Sequence, residues 1–199
     1  MFNGFIKETG IVEQVKPVES GTQLIIKISP QFALEIQVDS YIAVDGRILK
    51  VLDKENNTCF SLLKLYASRI NDLTNYLPQR KVNLERAIRL GEEIPGTFFY
   101  GVPSGQVKVM SIEKLSPFTS MIKVSFKNSL SKYLSINDQV CLDGVSLQIR
   151  NIEADLLDFE LYSNTLSVTN LGERKLGDLL SLEIDPFTVK IAQILATIH

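Results

Sequence analysis

The sequence predicts two tandem six-stranded antiparallel β-barrels followed by one C-terminal α-helix. Three observations carry this prediction: a near-constant internal repeat, short β-branched runs punctuated by turn residues, and a change of hydrophobic period in the tail. Phe2-Asn3-Gly4-Phe5 recurs as Phe99-Tyr100-Gly101-Val102, and Ile26-Lys27-Ile28-Ser29 as Ile122-Lys123-Val124-Ser125. Asp45-Gly46 with Leu49 recurs as Asp143-Gly144 with Leu147. Phe60-Ser61-Leu62 recurs as Phe159-Glu160-Leu161, and Val82-Asn83-Leu84-Glu85 as Leu180-Ser181-Leu182-Glu183. All five offsets fall between 96 and 99 residues, so the chain reads as an internal duplication.

In the first half the expected strands are Gly4–Val15, Gln23–Ile28, Tyr41–Val44, Arg47–Leu52, Cys59–Leu63 and Lys81–Arg86. Thr9-Gly10 interrupts the first of these and predicts a bulge there. Asp45-Gly46 predicts a type I′ hairpin, whose two central residues both need positive φ. The second half repeats the pattern as Gln106–Ile112, Met121–Ser125, Gln139–Leu142, Val145–Glu153, Leu157–Tyr162 and Leu179–Ile184. Pro30–Leu34 and Asn128–Leu134 read as single helical turns. Ile88–Gly96, with Gly91, Pro95 and Gly96, reads as the linker. The expected units are therefore barrels at 1–87 and 97–185 and a helix at 186–199. Pro186 suits a first helical turn. Val189, Ala192, Leu195 and Ile198 then form one apolar stripe, widened by Ile191 and Ile194. A helix this short is not stable alone in water, so it docks on its own barrel or joins subunits.

Composition excludes several functions. In 199 residues, 21 Lys+Arg stand against 23 Asp+Glu, which is no nucleic-acid footprint. No apolar run approaches the ~18 residues of a membrane span, and the N-terminus lacks a signal peptide's basic start and apolar stretch. A cytoplasmic protein with free thiols at Cys59 and Cys141 is expected, two cysteines being too few for a disulfide framework or a zinc site. The only histidine is His199, which excludes imidazole chemistry unless the C-terminus folds back into a site. Gly101-Val102-Pro103-Ser104-Gly105 lacks the spacing and lysine of a phosphate loop. Among the charged residues, Gln79-Arg80-Lys81 with Arg86 and Arg89 reads as a solvated face, and Arg150–Glu153 as a surface ion pair. Glu173-Arg174-Lys175 reads as a turn tip, and Glu92-Glu93 as linker carboxylates that do not converge. Phe98-Phe99-Tyr100 reads as barrel core.

The hairpin strands carry the candidate chemistry. Residues i and i+2 of a strand share a face. After Asp143-Gly144, Val145, Leu147 and Ile149 share one face, and Ser146 and Gln148 the other. After Asp45-Gly46, Arg47, Leu49 and Val51 share one face, and Ile48 and Lys50 the other. A hydroxyl beside an amide suits a polyhydroxylated ligand; an aliphatic group beside a cation suits it poorly. The plainer reading is that Ser146 and Gln148 are solvent-facing residues of a half-buried strand.

Taken together these residues resemble the riboflavin synthase family, which includes the lumazine proteins. Met1-Phe2-Asn3-Gly4-Phe5 is similar to the family start M-F-T-G-I, and Asp143-Gly144-Val145-Ser146-Leu147 to D-G-[IV]-S-L-T. Asn164-Thr165-Leu166 with Thr169-Asn170-Leu171-Gly172 resembles E-T-L-x-x-T-x-L-G. Lys175-Leu176-Gly177-Asp178 and Ile184-Asp185-Pro186 resemble K-x-G-D and E-x-D-P. The resemblance spans the chain. It implies an all-β fold of two six-stranded Greek-key barrels with a C-terminal helix that assembles a homotrimer. It implies transfer of a four-carbon unit between two 6,7-dimethyl-8-ribityllumazine molecules, with no metal or organic cofactor and the lumazine or flavin as the small-molecule partner. Holding both rings face to face would supply much of the rate.

The departures weigh against turnover. The family's N-G-[CV]-[CS]-L-T is here Asp45-Gly46-Arg47-Ile48-Leu49-Lys50, and the later threonine-leucine is Tyr66-Ala67. The family's G-G-H-x-x-x-G-H is here Pro95-Gly96-Thr97-Phe98-Phe99-Tyr100-Gly101-Val102, so both histidines are replaced, by Thr97 and Val102. The family threonine after Leu147 is Gln148. Cys59 and Cys141 do not fall at the family's cysteine. The resemblance therefore implies a lumazine- or flavin-binding protein with its main site in the second barrel. Gly4, Lys50, Gly101, Ser146, Gln148 and Thr165 are the ligand-binding candidates. If turnover persists, Ser146, Asp143 and Asp185 are the catalytic candidates, and the protein is an active riboflavin synthase. A ligand-free interaction scaffold is the third possibility.

Overall fold

The computed structural model describes every residue except 20, 57–60, 68–72, 74–75, 94–95 and 199, and also leaves out the side chains of 56, 61–67 and 198. Cys59, Pro95 and His199 lie outside the described residues, as do the side chains of Tyr66 and Ala67. The first barrel comprises β1 (Glu8–Val18), β2 (Gly21–Ile28), β3 (Tyr41–Val44), β4 (Arg47–Asn56), β5 (Ser61–Ala67) and β6 (Lys81–Arg86). It closes in the order β1-β2-β5-β4-β3-β6. The second comprises β7 (Gly105–Lys114), β8 (Thr119–Ser125), β9 (Gln139–Leu142), β10 (Val145–Glu153), β11 (Leu156–Tyr162) and β12 (Leu179–Ile184). Its ring, β10-β11-β8-β7-β12-β9, is the first one's order repeated. Every pairing is antiparallel, and closure leaves no free sheet edge. Helix α1 (Pro30–Leu34) starts at Ser29, whose hydroxyl accepts from the Phe32 N–H, and a 3-10 turn at Asn128–Tyr133 takes its place in the second barrel.

The repeat extends to irregularities that the sequence placed less well. Thr9-Gly10 predicts a bulge, but the register shift falls between Val12 and Gln14, with its counterpart between Val109 and Ser111. Gly10 instead allows close packing, because a Cβ there would lie 2.9 Å from Leu84 Cδ1. The first strand begins at Glu8 rather than Gly4. Gly4 sits at φ +74° and its N–H goes to a carboxylate, so residues 4–7 leave the sheet. The fifth strand runs from Ser61 to Ala67, later than its expected span. Both Asp-Gly turns are as predicted: Asp45 and Gly46 at φ +46° and +73°, Asp143 and Gly144 at +45° and +80°.

Each barrel encloses its own core. Val12, Leu24, Ile26, Ile42, Val44 and Leu84 fill the first, and Val109, Ile122, Val140, Ile149, Leu157 and Phe159 the second. The barrels meet at the two turns. A Cβ on Gly144 would stand 2.7 Å from the Gly46 nitrogen, and one on Gly46 2.9 Å from the Gly144 nitrogen, so neither position admits a side chain.

A buried polar network surrounds this contact. Asp45 Oδ1 accepts from the Asn83 N–H (2.8 Å) and from Asn170 Nδ2 (2.8 Å), while Asp143 Oδ1 accepts from the Ser181 N–H (2.7 Å). Asn83 Nδ2 donates to the Asp143 carbonyl (2.8 Å), and Ser181 Oγ to the Asp45 carbonyl (2.6 Å). Arg80 Nη2 lies 3.3 Å from Asp45 Oδ2, and Arg174 Nη2 lies 2.6 Å from Asp143 Oδ2. Burial, and then the Asp143 charge, push the Asp45 carboxyl up to about 7. Three expectations are corrected here. Arg80 is no solvated residue and Arg174 no turn tip; they neutralise the carboxylates between the barrels. Arg150 pairs with Glu160 (3.2 Å) and not Glu153, whose carboxylate lies 3.9 Å from Lys123.

Helix α3 (Pro186–Ile198) closes the chain. Val189 packs against the second core, while Phe187, Ile191, Ile194 and Leu195 remain exposed. No helix among the described residues is long and apolar enough to cross a membrane.

Candidate functional site

The alternation after each Asp-Gly turn sorts side chains as the sequence predicts. Val145, Leu147 and Ile149 point into the second core, and Ser146 and Gln148 lie half-buried on the outer face. Gln139 faces Gln148 across the β9–β10 ladder and extends this polar row. Ser146 Oγ donates to Gln139 Oε1 at 3.2 Å. Gln148 Nε2 donates to the Asn137 carbonyl at 3.3 Å, and its Oε1 accepts from Arg150 Nη1 at 2.9 Å. The Ile149–Phe159 pairing sets the end of β11 alongside the start of β10. Helix α2 (Ser163–Val168) follows β11 and carries the half-buried Thr165. The sequence did not anticipate this helix. Donors and acceptors of several geometries lie on one surface, which suits a ligand with several hydroxyls.

The matching face of the first barrel differs in kind. Ile48 is exposed, and Lys50 Nζ lies 2.7 Å from Asp39 Oδ1. The hydrogen bond to Asp39 raises the Lys50 pKa, and this solvent-exposed ion pair lies within its own barrel.

The crossing segments bind each barrel to the other. The Ser146 N–H donates to the Gly4 carbonyl at 3.0 Å, and the Ile48 N–H to the Gly101 carbonyl at 2.8 Å. Phe2 and Phe99 pair between them and are both buried. Gly101 was grouped with the second-barrel ligand residues on sequence; it stands instead against Ile48 of the first barrel, and Gly4 is the glycine that meets Ser146. A Cβ on Gly4 would lie 2.6 Å from Ser146 Cβ, at φ +74°. Gly91 has φ +90° and nothing within 4 Å. Gly91→Ala is thus expected to cost only the left-handed strain, about 1 kcal/mol. Gly4→Ala adds overpacking and should cost about 2–4 kcal/mol. Urea denaturation of the two variants checks this; equal costs would mean that the N-terminal segment swings aside freely.

Two carboxylates missed on sequence hold these segments. Glu85 on β6 accepts from the Asn3 N–H (2.7 Å) and the Gly4 N–H (3.1 Å). Glu183 on β12 accepts from the Tyr100 N–H (2.7 Å) and the Gly101 N–H (3.1 Å). Burial pushes Glu85 up to about 7, against the pull of its two N–H donors, and burial likewise raises Glu183. The available signal was their recurrence at one offset as polar residues inside apolar strands.

The remaining candidates sit elsewhere. Asp143 belongs to the network between the barrels, with Oδ1 on Ser181 and Oδ2 on Arg174, and is turned away from the Ser146 face. Asp185 caps α3, where its Oδ1 accepts from the Phe187 N–H at 3.0 Å. Neither placement suits acid–base work on a ligand at Ser146. Cys141, paired with Ser146 across the ladder, is buried, and burial followed by Glu183 and Glu85 drives its thiol pKa up, so it is no nucleophile.

Comparison with known proteins agrees with this geometry. Residues 104–185, which hold the second barrel, match the lumazine binding domain family. The chain is 30% identical over 202 residues to the riboflavin synthase of Brucella abortus (strain 2308), covering 97% of this chain and 98% of that one. It is 31% identical over 188 residues to the riboflavin synthase of Bacillus subtilis (strain 168), covering 93% and 85%. Among solved structures, LumP complexed with riboflavin superposes with a TM-score of 0.80 at 19% identity, over 92% of this chain and 99% of that one. LumP complexed with 6,7-dimethyl-8-(1'-D-ribityl)lumazine gives 0.77 at 19% identity, over the same shares. Paired barrels, crossed glycine segments and full-length similarity to two synthases make this chain a member of the riboflavin synthase family.

Proposed function

We propose that this protein binds 6,7-dimethyl-8-ribityllumazine or a flavin on the Ser146 face of the second barrel, and that turnover is weak or lost. The observation that carries this reading is the asymmetry of two faces built on the same strand. One offers Ser146, Gln148 and Gln139; the other offers Ile48 and a Lys50 already paired with Asp39. Ser146 and Gln148 would meet ribityl hydroxyls or a ring carbonyl, Thr165 would support the ring edge, and Gly4 would close one side. A reaction between two lumazines needs two competent faces, and only one is polar here. No metal or organic cofactor enters this reading. The units would be barrels at 1–87 and 97–185. The apolar side of α3, with Phe187, Ile191, Ile194 and Leu195 exposed, would assemble a homotrimer.

A titration with 6,7-dimethyl-8-ribityllumazine, followed by absorbance and emission for hours, tests the proposal. The expected spectrum shifts at once and then stays fixed. Ser146→Ala should weaken binding about tenfold, the loss of one hydrogen bond to a ligand of this kind. Similarity of about 30% over nearly the whole chain to two riboflavin synthases favours a second reading, an active riboflavin synthase, and steady drift toward the riboflavin spectrum would establish it. No spectral change would remove both and leave the scaffold.

A further inference from the structure

Glu85 belongs to the first barrel, yet what it holds lies against the second. Its two oxygens take the N–H groups of Asn3 and Gly4, and the Gly4 carbonyl takes the N–H of Ser146. The path from carboxylate to Ser146 thus runs through two residues and three hydrogen bonds. Glu183 repeats it in the opposite sense, through Tyr100 and Gly101 to Ile48, at matching N–H to carboxylate distances. An arrangement built twice with the same bonds is a feature of the fold and not an accident of one loop. Gly4 cannot retreat toward β10, since even a methyl group there would strike Ser146.

We propose that Glu85 is a positioning residue for the ligand-binding face of the second barrel, fixing Ser146 from the first barrel through the Asn3-Gly4 segment. This rests on the reading of the Ser146 face as the binding site. The carboxylate accepts two bonds when ionised. Once protonated, one oxygen carries a hydrogen and can no longer serve its N–H equally. The grip on Gly4 then slackens, and with it the Ser146 edge.

Several charged groups face Glu85. The N-terminal ammonium favours its ionised form, and Glu183 opposes it. Cys141 lies near enough to feel its charge. Lys7, Glu35, Arg86 and Glu92 line a cavity of about 50 Å³ beside it. On the adjoining strands, Ala43 pairs with it and carries no charge, and Glu8 is turned to Ser29. Asp45 titrates in the same range, so a variant is needed to separate the two.

The test is an amide ¹H–¹⁵N titration of the full chain between pH 5 and 9, without ligand. The Gly4 and Ser146 amides are expected to shift together with a midpoint near 7. Both shifts should vanish in Glu85→Gln, whereas Glu183→Gln should move the Ile48 amide and leave Ser146 in place. A titrating Gly4 beside a silent Ser146 overturns the coupling, and the wild-type titration decides this even where a variant fails to fold. With 6,7-dimethyl-8-ribityllumazine as probe, Glu85→Gln should bind about tenfold more weakly, with thermal stability at pH 6 close to wild type. Wild-type affinity in that variant also overturns the proposal. If neither protein binds the lumazine, the reading of the site fails, and the amide titration still judges the coupling by itself.

Discussion

Arg174→Met is expected to destabilise the protein by about 3–5 kcal/mol, the cost of leaving a buried charge without its partner. Asp143 is 1% exposed, and its Oδ2 stands 2.6 Å from the Arg174 guanidinium. Asp45, also 1% exposed, is in the same network, so removing one cation leaves two buried carboxylates against Arg80. Methionine fills much of the arginine stem's volume, so the loss measured is mainly electrostatic. Adding Asp143→Asn should recover part of the cost, because an amide needs no counter-charge. Urea unfolding of the two single variants and the double variant measures the coupling. A cost below about 1 kcal/mol for Arg174→Met would mean that Arg80 or water replaces the lost cation.

Raising the pH from 5 to 8 is expected to cost the native state about 2.5 kcal/mol through Glu85 alone. The sign follows from the direction of the shift. Glu85 titrates at about 7 in the folded protein against an ordinary 4.5. Between these values the native state holds a proton that the unfolded chain has lost. Stability is therefore greatest below 4.5 as far as this group is concerned, and is lost as pH rises through 7. Asp45, also raised to about 7, acts in the same direction. Glu92 acts oppositely, since its hydrogen bond to Arg86 lowers it to about 2, but it lies at the surface and acts only at acid pH. Denaturation midpoints measured from pH 5 to 8 should fall, and the slope should flatten in Glu85→Gln. A midpoint that rises over this range would show that the N–H donors outweigh burial. Binding and stability should thus respond to pH in opposite senses, because the ionised carboxylate that best holds Gly4 is also the costlier one to bury.

Much of this molecule is legible in the sequence because it depends on local rules. Asp45-Gly46 and Asp143-Gly144 announce their hairpins through the positive φ that both residues must adopt. The two-residue period then fixes which side chains of β4 and β10 face outward, so the contrast of Ile48 and Lys50 with Ser146 and Gln148 needs no structure. The tail's helical period is likewise local. What the sequence hides is any face covered by the other barrel. Asn83 and Glu85 occupy outward positions of β6 and would be read as solvated, yet a neighbouring segment buries both. Arg80 and Arg174 resemble surface cations for the same reason. Gly4 shows the limit of local propensity, because the β-prone pair Phe5-Ile6 invites a strand that the glycine's left-handed backbone keeps from forming before Glu8. Helix α2 was missed because six residues at the end of a strand carry too little period to be seen.

The crossed segments also decide how the molecule can be divided. A cut in the linker would leave the second half without Asn3 and Gly4, and the first half without Tyr100 and Gly101. Each half would keep its carboxylate and the loop it grips, and lose the other half's loop that closes against Ser146 or Ile48. The cut surfaces would also bring Asp45 and Asp143 to water, parting the ring of arginines and asparagines that neutralises them jointly. The halves are therefore not modules that can be transplanted one at a time. A graft of the Ser146 face onto another scaffold would need to carry the first seven residues of the chain with it, and something to do the work of Glu85.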